Sequence, residues 1–271
     1  MKKIDSIAII AGQGILPRIV YDECVAQNIK CCVIGLKDEV NEDIFTDVKC
    51  HLFHPYAISM IFEYLKEEGI YDIVIAGKVN RRHLSKLVFD KFGRAILKHI
   101  ASHGFNDSSI YSTIIKTIEN EGFNLISPEI IAQNLISKSG LINNVEITEQ
   151  ASMDINKGGE ILRGIMGHDI GQALIINNGL VLGVEAAEGT NNLIKRCAEL
   201  REEQEGGVLI KLCKPHQDKR LDLPCIGPDT IKNIAKYGYK GIVVEAKKSI
   251  MLSSAKTIKL ADDNKIFIYG V

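Results

Sequence analysis

Three short runs in the first third of the chain, SIAIIAG (6–12), CCVIGL (31–36) and YDIVIAG (71–77), are apolar at nearly every position. A strand with one face in solvent alternates apolar and polar residues. One that is apolar throughout is covered on both faces, as in a parallel sheet. The intervening segments GILPRIVYDECVAQN (14–28) and AISMIFEYLKEEG (57–69) carry helical periodicity. Strand, helix, strand, helix, strand with right-handed crossovers is therefore the expected opening of the fold.

That pattern predicts an α/β protein whose N-terminal domain is a Rossmann-like parallel sheet. Past Gly77 a helical pattern runs to about Ile100, a further helix is expected over Ser108–Asn120, and FNLIS (123–127) reads as a short strand. NLISKSGLINN (134–144) loses periodicity and gathers Ser, Gly and Asn, so it reads as a linker. The expected division is residues 1–134 for the Rossmann-like domain and 140–271 for a second α/β domain. The second half opens with a helix over Ala151–Met166, followed by GQALIINN and LVLGVEA around Gly179, a hairpin pattern. A helix across Asn191–Arg201, the strand VLIKLC, a polar loop Lys214–Gly227, a helix from Asp229, the strand GIVVEA, a helix from Ser253 and the terminal strand KIFIYGV complete it.

Acidic and basic residues nearly cancel, 34 against 33, and no basic stripe is present to displace phosphate counterions. A nucleic-acid partner is not expected. No run approaches the roughly 18 apolar residues that span a bilayer. The start, MKKIDSIAII, breaks at Gly12 and Gly14 and reads as a first strand rather than a signal peptide. Seven cysteines, an odd number with no Cys-x-x-Cys pair, suit a reducing cytoplasm. His51 with His54, and His99 with His103, lack further soft ligands nearby and read as surface or capping residues.

Two glycine turns sit where an open parallel sheet binds ligands, at the carboxyl ends of strands. AGQGILP carries Gly12 and Gly14, but Pro17 replaces the third glycine of the dinucleotide fingerprint and the Walker lysine is absent. It is either a ligand loop or a tight strand-to-helix connection. AGKVNRR brings Lys78, Arg81 and Arg82, as phosphate contacts or as a solvated basic loop.

KPHQDKRLDLPCIGPDT (214–230) is different in kind. Lys214, Asp218, Arg220 and Asp222 share one connection with Pro215, Pro224 and Pro228, whose fixed backbone angles lower the entropy cost of holding side chains in place. Alternation of Arg220, Leu221, Asp222 and Leu223 predicts an extended segment with its charges on one side. A carboxylate between cations suits a hard metal ion or general-base work on water. In VEAAEGTNN, Glu185 and Glu188 leave an apolar strand, where a carboxylate is costly without a partner. Thr190 or Asn191 could equally cap the next helix. Asp169 and Gln172 precede the hairpin with the same two readings.

Taken in order, GQALIINNGLVLGVEAAEGTNN, KPHQDKRLDLPCIGPDT and GIVVEA resemble the UDP-2,3-diacylglucosamine pyrophosphatases of the LpxI type, and AGQGILP and AGKVNRR fall in the matching places. The resemblance spans essentially the whole chain. It implies a family-specific second domain and Mg²⁺-dependent hydrolysis of UDP-2,3-diacylglucosamine to UMP and 2,3-diacylglucosamine 1-phosphate (lipid X), a step of lipid A synthesis, with water attacking the β-phosphorus. The family's essential aspartate in R-x-D-L-P-x-I-G falls on Asp222. Lys214 and Arg220 are the expected catalytic cations, and Asp222, Glu188 and Asp218 the expected magnesium ligands. Gly12, Gly14, Lys78, Arg81, Gln172, Thr190 and Gln217 are the expected substrate contacts.

The resemblance has departures. Asn191 stands where similar members carry an aspartate after E-G-T, and Phe105-Asn106-Asp107 stands for G-D-D. Elementary chemistry agrees with the reaction: a diphosphate needs its charge neutralised before water attacks. Two acyl chains need an apolar trough, each buried CH₂ contributing about 0.8 kcal/mol. A lipid substrate also implies transient contact of a peripheral protein with the inner-membrane surface. The oligomeric state stays open, a homo-oligomer included. Two rivals remain: a nicotinamide oxidoreductase, which needs an acid ending the second strand where Gly35-Leu36-Lys37 stands, and a nucleotide-sugar or lipid sensor without activity.

Overall fold

A computed structural model of the 271-residue chain describes residues 4–79, 90–103, 107–168, 170–203, 205–215, 218–221 and 223–271. It resolves into two compact units: Met1–Gln133 with Asp218–Leu221, and Asn134–Gln217 with Asp222–Val271. Among the described residues no helix is long and apolar enough to cross a membrane.

The first unit is a five-stranded parallel sheet in the order β3-β2-β1-β4-β5, built from β1 Ser6–Ala11, β2 Lys30–Leu36, β3 Cys50–Phe53, β4 Asp72–Ala76 and β5 Asn124–Ile126. The all-apolar strands are covered on both faces, as their composition requires. Ile7, Ile9, Val74 and Ala76 point to one side, against Val20 and Cys24 of α1 (Leu16–Ala26) and Ile131 of α5 (Pro128–Ile131). Ala8 and Ile73 point to the other, against Phe62 and Leu65 of α2 (Ile58–Glu67) and Ile115 and Ile118 of α4 (Asp107–Asn120). α3 (Lys91–His103) precedes α4.

β3 has no apolar run to announce it. It is a half-buried edge strand, and His51 on it hydrogen-bonds the Tyr64 hydroxyl at 3.1 Å, while His54 stacks on Tyr56. None of the seven cysteines, all of them among the described residues, is in a disulfide.

The second unit holds a six-stranded mixed sheet, β6-β13-β11-β9-β7-β8. β9 (Val208–Lys211), β11 (Gly241–Val244) and β13 (Phe267–Gly270) run parallel, and the hairpin β7 (Ala173–Asn177) with β8 (Leu180–Val184) runs antiparallel on one flank. α6 (Glu149–Met166) covers one face through Ile155 and Leu162. α7 (Thr190–Ala198), α8 (Pro228–Lys236) and α9 (Ser254–Asp263) cover the other through Leu193, Ile231 and Ala261. A two-stranded parallel pair joins β10 (Cys225–Ile226) to β12 (Ile250–Met251).

The stretch 134–144, expected as a linker, belongs to the second unit, and two of its residues join the sheet. β6 (Gly140–Leu141) pairs antiparallel with Tyr269 and Gly270. Ser137 donates its N–H to Ser249 O and its hydroxyl to Glu245 O. Asn143 is buried and makes both bonds of a strand partner, Nδ2 to Ile266 O at 2.9 Å and Ile268 N to its Oδ1 at 2.8 Å. Its Ser and Asn content reflects side chains standing in for backbone pairing at a sheet edge.

Candidate active site

In the first unit the two glycine turns at the carboxyl ends of β1 and β4 are sewn to each other. Gly12 N donates to Ala76 O at 2.8 Å, Gln13 N to Lys78 O at 2.8 Å, and Lys78 N returns to Gln13 O at 3.2 Å. A Cβ on Gly12 would collide with the Lys78 carbonyl oxygen, and one on Gly77, at φ +89°, with that of Gln13. Close backbone approach thus accounts for both glycines, and the Gly12 N–H already has an acceptor. Gly14, at φ +91°, faces open space, and Lys78 is exposed. Arg81 lies outside the described residues. Three residues beyond β2, Glu39 is buried and accepts a hydrogen bond from the Gln13 side chain.

In the second unit three of the sequence motifs converge on one edge of the sheet, at the carboxyl end of β9. Because β7 is antiparallel to β9, Ala173 pairs with Lys211, which brings Gln172 there too. Leu174 pairs with Val184, so β8 delivers Glu185 to the same edge. Gly171 lets the strands meet: a Cβ on it would overlap the Glu185 carbonyl. Glu185 is 8% exposed. Its Oε1 accepts from the Thr190 hydroxyl at 2.8 Å and its Oε2 from Gln172 N at 3.4 Å. Lys211, 9% exposed, donates to Thr190 Oγ1 at 3.1 Å and to Cys225 O at 3.4 Å.

The order of donation follows from the groups. A lysine ammonium only donates, so the threonine hydroxyl accepts from Lys211 and passes its own proton toward Glu185. A buried carboxylate and a buried cation are thus joined through one hydroxyl, which answers the desolvation cost each would carry alone. The N-cap of α7 is Gly189, at φ 78°, and Thr190 is the first helical residue, so its hydroxyl serves Glu185 and caps nothing. Beside this network Gln172 Oε1 is buried without a hydrogen-bond partner.

The loop after β9 begins with Leu212 and Cys213 and returns at β10. Lys214 is half-buried. Residues Asp218–Leu221 belong to the first unit, where Leu221 packs against its core, the Ser127 hydroxyl donates to Lys219 O at 3.0 Å, and Arg220 reaches Glu119 at 2.7 Å. At Arg220 and Leu221 the chain is in a turn, where the alternation over Arg220–Leu223 predicts an extended segment. Leu221 N bonds Asp218 O at 3.1 Å and Arg220 N bonds the Asp218 carboxylate at 3.0 Å, a side-chain-templated turn that competes with extension. Gln217 and Asp222 lie outside the described residues.

A model of the LpxI N-terminal domain matches residues 6–135, and one of the LpxI C-terminal domain matches residues 138–269. The chain belongs to the LpxI family. It is 31% identical over 277 residues to UDP-2,3-diacylglucosamine pyrophosphatase LpxI of Caulobacter vibrioides, covering 98% of this chain and 97% of that protein.

Within this LpxI-family chain, charged partners already occupy several candidate residues. Arg220 forks onto Asp218, Nε to Oδ1 at 2.9 Å and the terminal nitrogen to Oδ2 at 2.7 Å. That bidentate contact holds the Asp218 carboxyl below the usual carboxylate range and raises the Arg220 guanidinium. Glu188 accepts from Arg196 at 2.7 Å, which raises Arg196 in turn. Asn191 faces α8, where its Oδ1 accepts from Asn233 at 3.2 Å. Asn106 lies outside the described residues. Among the described residues no group of three His, Cys, Asp or Glu side chains is gathered as a metal site requires.

Lys211 is the functional-looking residue that pattern reading passed over. Its signal was available: a lysine ending a strand, VLIK, in which every residue is buried.

Proposed function

We propose that this chain hydrolyses the diphosphate of UDP-2,3-diacylglucosamine, releasing UMP and 2,3-diacylglucosamine 1-phosphate for lipid A synthesis. The supporting observation is end-to-end similarity, 31% identity over 98% of the chain, to a protein named for action on that substrate. Water would add to the β-phosphorus, the bond from that phosphorus to the bridging oxygen would break, and UMP would leave with the bridging oxygen. Asp222, in R-x-D-L-P-x-I-G, is the proposed central carboxylate. Lys214 and Arg220 are the proposed cations beside the phosphates, and Gly14, Lys78, Arg81, Gln172, Thr190 and Gln217 the proposed substrate contacts.

The chemistry of the second unit's edge suits the reading. A half-buried amide with an orphaned oxygen, a half-buried hydroxyl and a buried cation are groups that position a polar ligand. Dependence on magnesium belongs to the same proposal, since a divalent ion would neutralise the diphosphate and lower the pKa of water. Of the carboxylates proposed to hold such an ion, Glu188 is paired with Arg196 and Asp218 with Arg220, and either would exchange its guanidinium for the metal. Asp222 is the remaining proposed ligand, or the base. Purified protein incubated with UDP-2,3-diacylglucosamine and Mg²⁺ should release UMP; binding of the substrate without UMP would favour a sensor.

A further inference from the structure

We propose that Lys211 is a positioning residue that holds shut the neck of the 212–224 loop and registers that loop against Glu185 and Thr190. The inference rests on the hydrolase reading for its reaction but on geometry alone for the clamp. Lys211 is the last residue of β9 and Cys225 the first of β10, so they mark where the loop leaves and where it returns. One side chain spans that gap, its Nζ lying 3.4 Å from the Cys225 carbonyl oxygen. The returning strand pairs with β12, Ile250 N to Pro224 O at 2.8 Å and Leu252 N to Ile226 O at 2.9 Å. The same ammonium reaches Thr190 Oγ1 at 3.1 Å, and that hydroxyl reaches Glu185 at 2.8 Å.

The β8–α7 connection, whose Glu185 and Thr190 are bonded to each other, is therefore tied to the return of the loop through one cation at the end of a fully buried strand. Ordering a lysine side chain costs rotamer entropy and burying its charge costs more, so an apolar residue would serve packing better. Bridging two polar anchors, the Thr190 hydroxyl and the Cys225 carbonyl, is what an apolar residue cannot do. Thr190, a proposed substrate contact, is itself one of the anchors, and Lys214, a proposed cation, follows Lys211 by three residues, so slack in the neck is slack in the placement of both. Misplacement on the order of 1 Å costs about 100-fold in rate.

The test compares full-length wild type with Lys211→Met and Lys211→Arg by peptide-resolved hydrogen exchange and by UMP release. For Lys211→Met, exchange in the 212–227 peptides should accelerate roughly tenfold while peptides of β9, β11 and β13 keep their protection. The kcat should fall about 100-fold with KM within about threefold, and Lys211→Arg should recover most of the loss. Unchanged exchange in 212–227, acceleration spread evenly over the sheet, or local acceleration with unchanged kcat would each overturn the positioning role. Should Lys211→Met fail to fold, Lys211→Gln, polar but too short to reach both anchors, decides by the same criteria. If wild type releases no UMP, the hydrolase reading fails, while the exchange pattern still decides the clamp.

Discussion

Arg220 grips Asp218 through two side-chain bonds, 2.9 Å to one carboxylate oxygen and 2.7 Å to the other, and the Arg220 N–H closes a third at 3.0 Å. The two residues fold their own turn, and that turn carries the chain into the position from which Leu221 packs on the first unit's core. The pair sits immediately before Asp222, so its integrity bears on the loop as a whole.

The fork has a pH signature. The folded Asp218 carboxyl lies below its ordinary value because of Arg220, so its contribution to stability is complete above the unfolded-state pKa and is lost as pH falls through the depressed folded value. Asp218→Asn should cost roughly 1 kcal/mol near neutrality, discounted for partial exposure. The difference from wild type should vanish in the acid range. Urea melts of both proteins from neutral to acid pH check this; a difference that persists unchanged at the acid end would contradict it.

Thr190→Val removes the hydroxyl between Lys211 and Glu185 while keeping the branched shape. Glu185 Oε1 then loses its donor at a buried position, a cost of about 1–3 kcal/mol. Stability measured by urea should fall by that amount, and Thr190→Ser should restore most of it. Equal stability of all three proteins would show that the hydroxyl bridge is not made in solution.

The glycine turns predict an asymmetry. Gly12→Ala places a methyl into the Lys78 carbonyl, which forces apart two paired turns and should cost about 1–3 kcal/mol. Gly14→Ala meets open space and carries only the strain of its positive φ, about 1 kcal/mol. Thermal melts should rank the two in that order; the reverse order would argue that Gly12 serves a ligand alone.

Much of this was legible before any coordinates. The nearly all-apolar strands SIAIIA and DIVIA announced a covered parallel sheet because apolar content on both faces has few other outlets. The hairpin around Gly179 was equally plain. What escaped detection were features whose signal is not periodic. β3 is four half-buried residues at a sheet edge, and Asn143 and Ser137 look like linker residues yet serve as buried hydrogen-bond partners. Alternation in Arg220–Leu223 suggested extension because the side-chain template at Asp218 is a three-dimensional fact. At the candidate site, Glu185 stood out as a carboxylate leaving an apolar strand, but Lys211 was hidden inside one.

Asn191 tests how far a motif departure matters. Its side chain joins Asn233 across α7 and α8 and takes no part in the Glu185 network. Asn191→Asp should therefore change UMP release by no more than about twofold, as surface substitutions do. A gain of about tenfold or more would mean that a carboxylate at this position contributes to the reaction.

The most direct measurement is UMP release from UDP-2,3-diacylglucosamine by wild type and by Asp222→Ala, each with Mg²⁺ and with excess EDTA. The account predicts release by wild type with Mg²⁺, its loss in EDTA with recovery on added Mg²⁺, and a fall on the order of 100-fold or more in Asp222→Ala at unchanged thermal stability. Equal rates for wild type and Asp222→Ala would contradict the placement of the chemistry, and a wild type that binds the substrate yet releases no UMP would contradict the function itself.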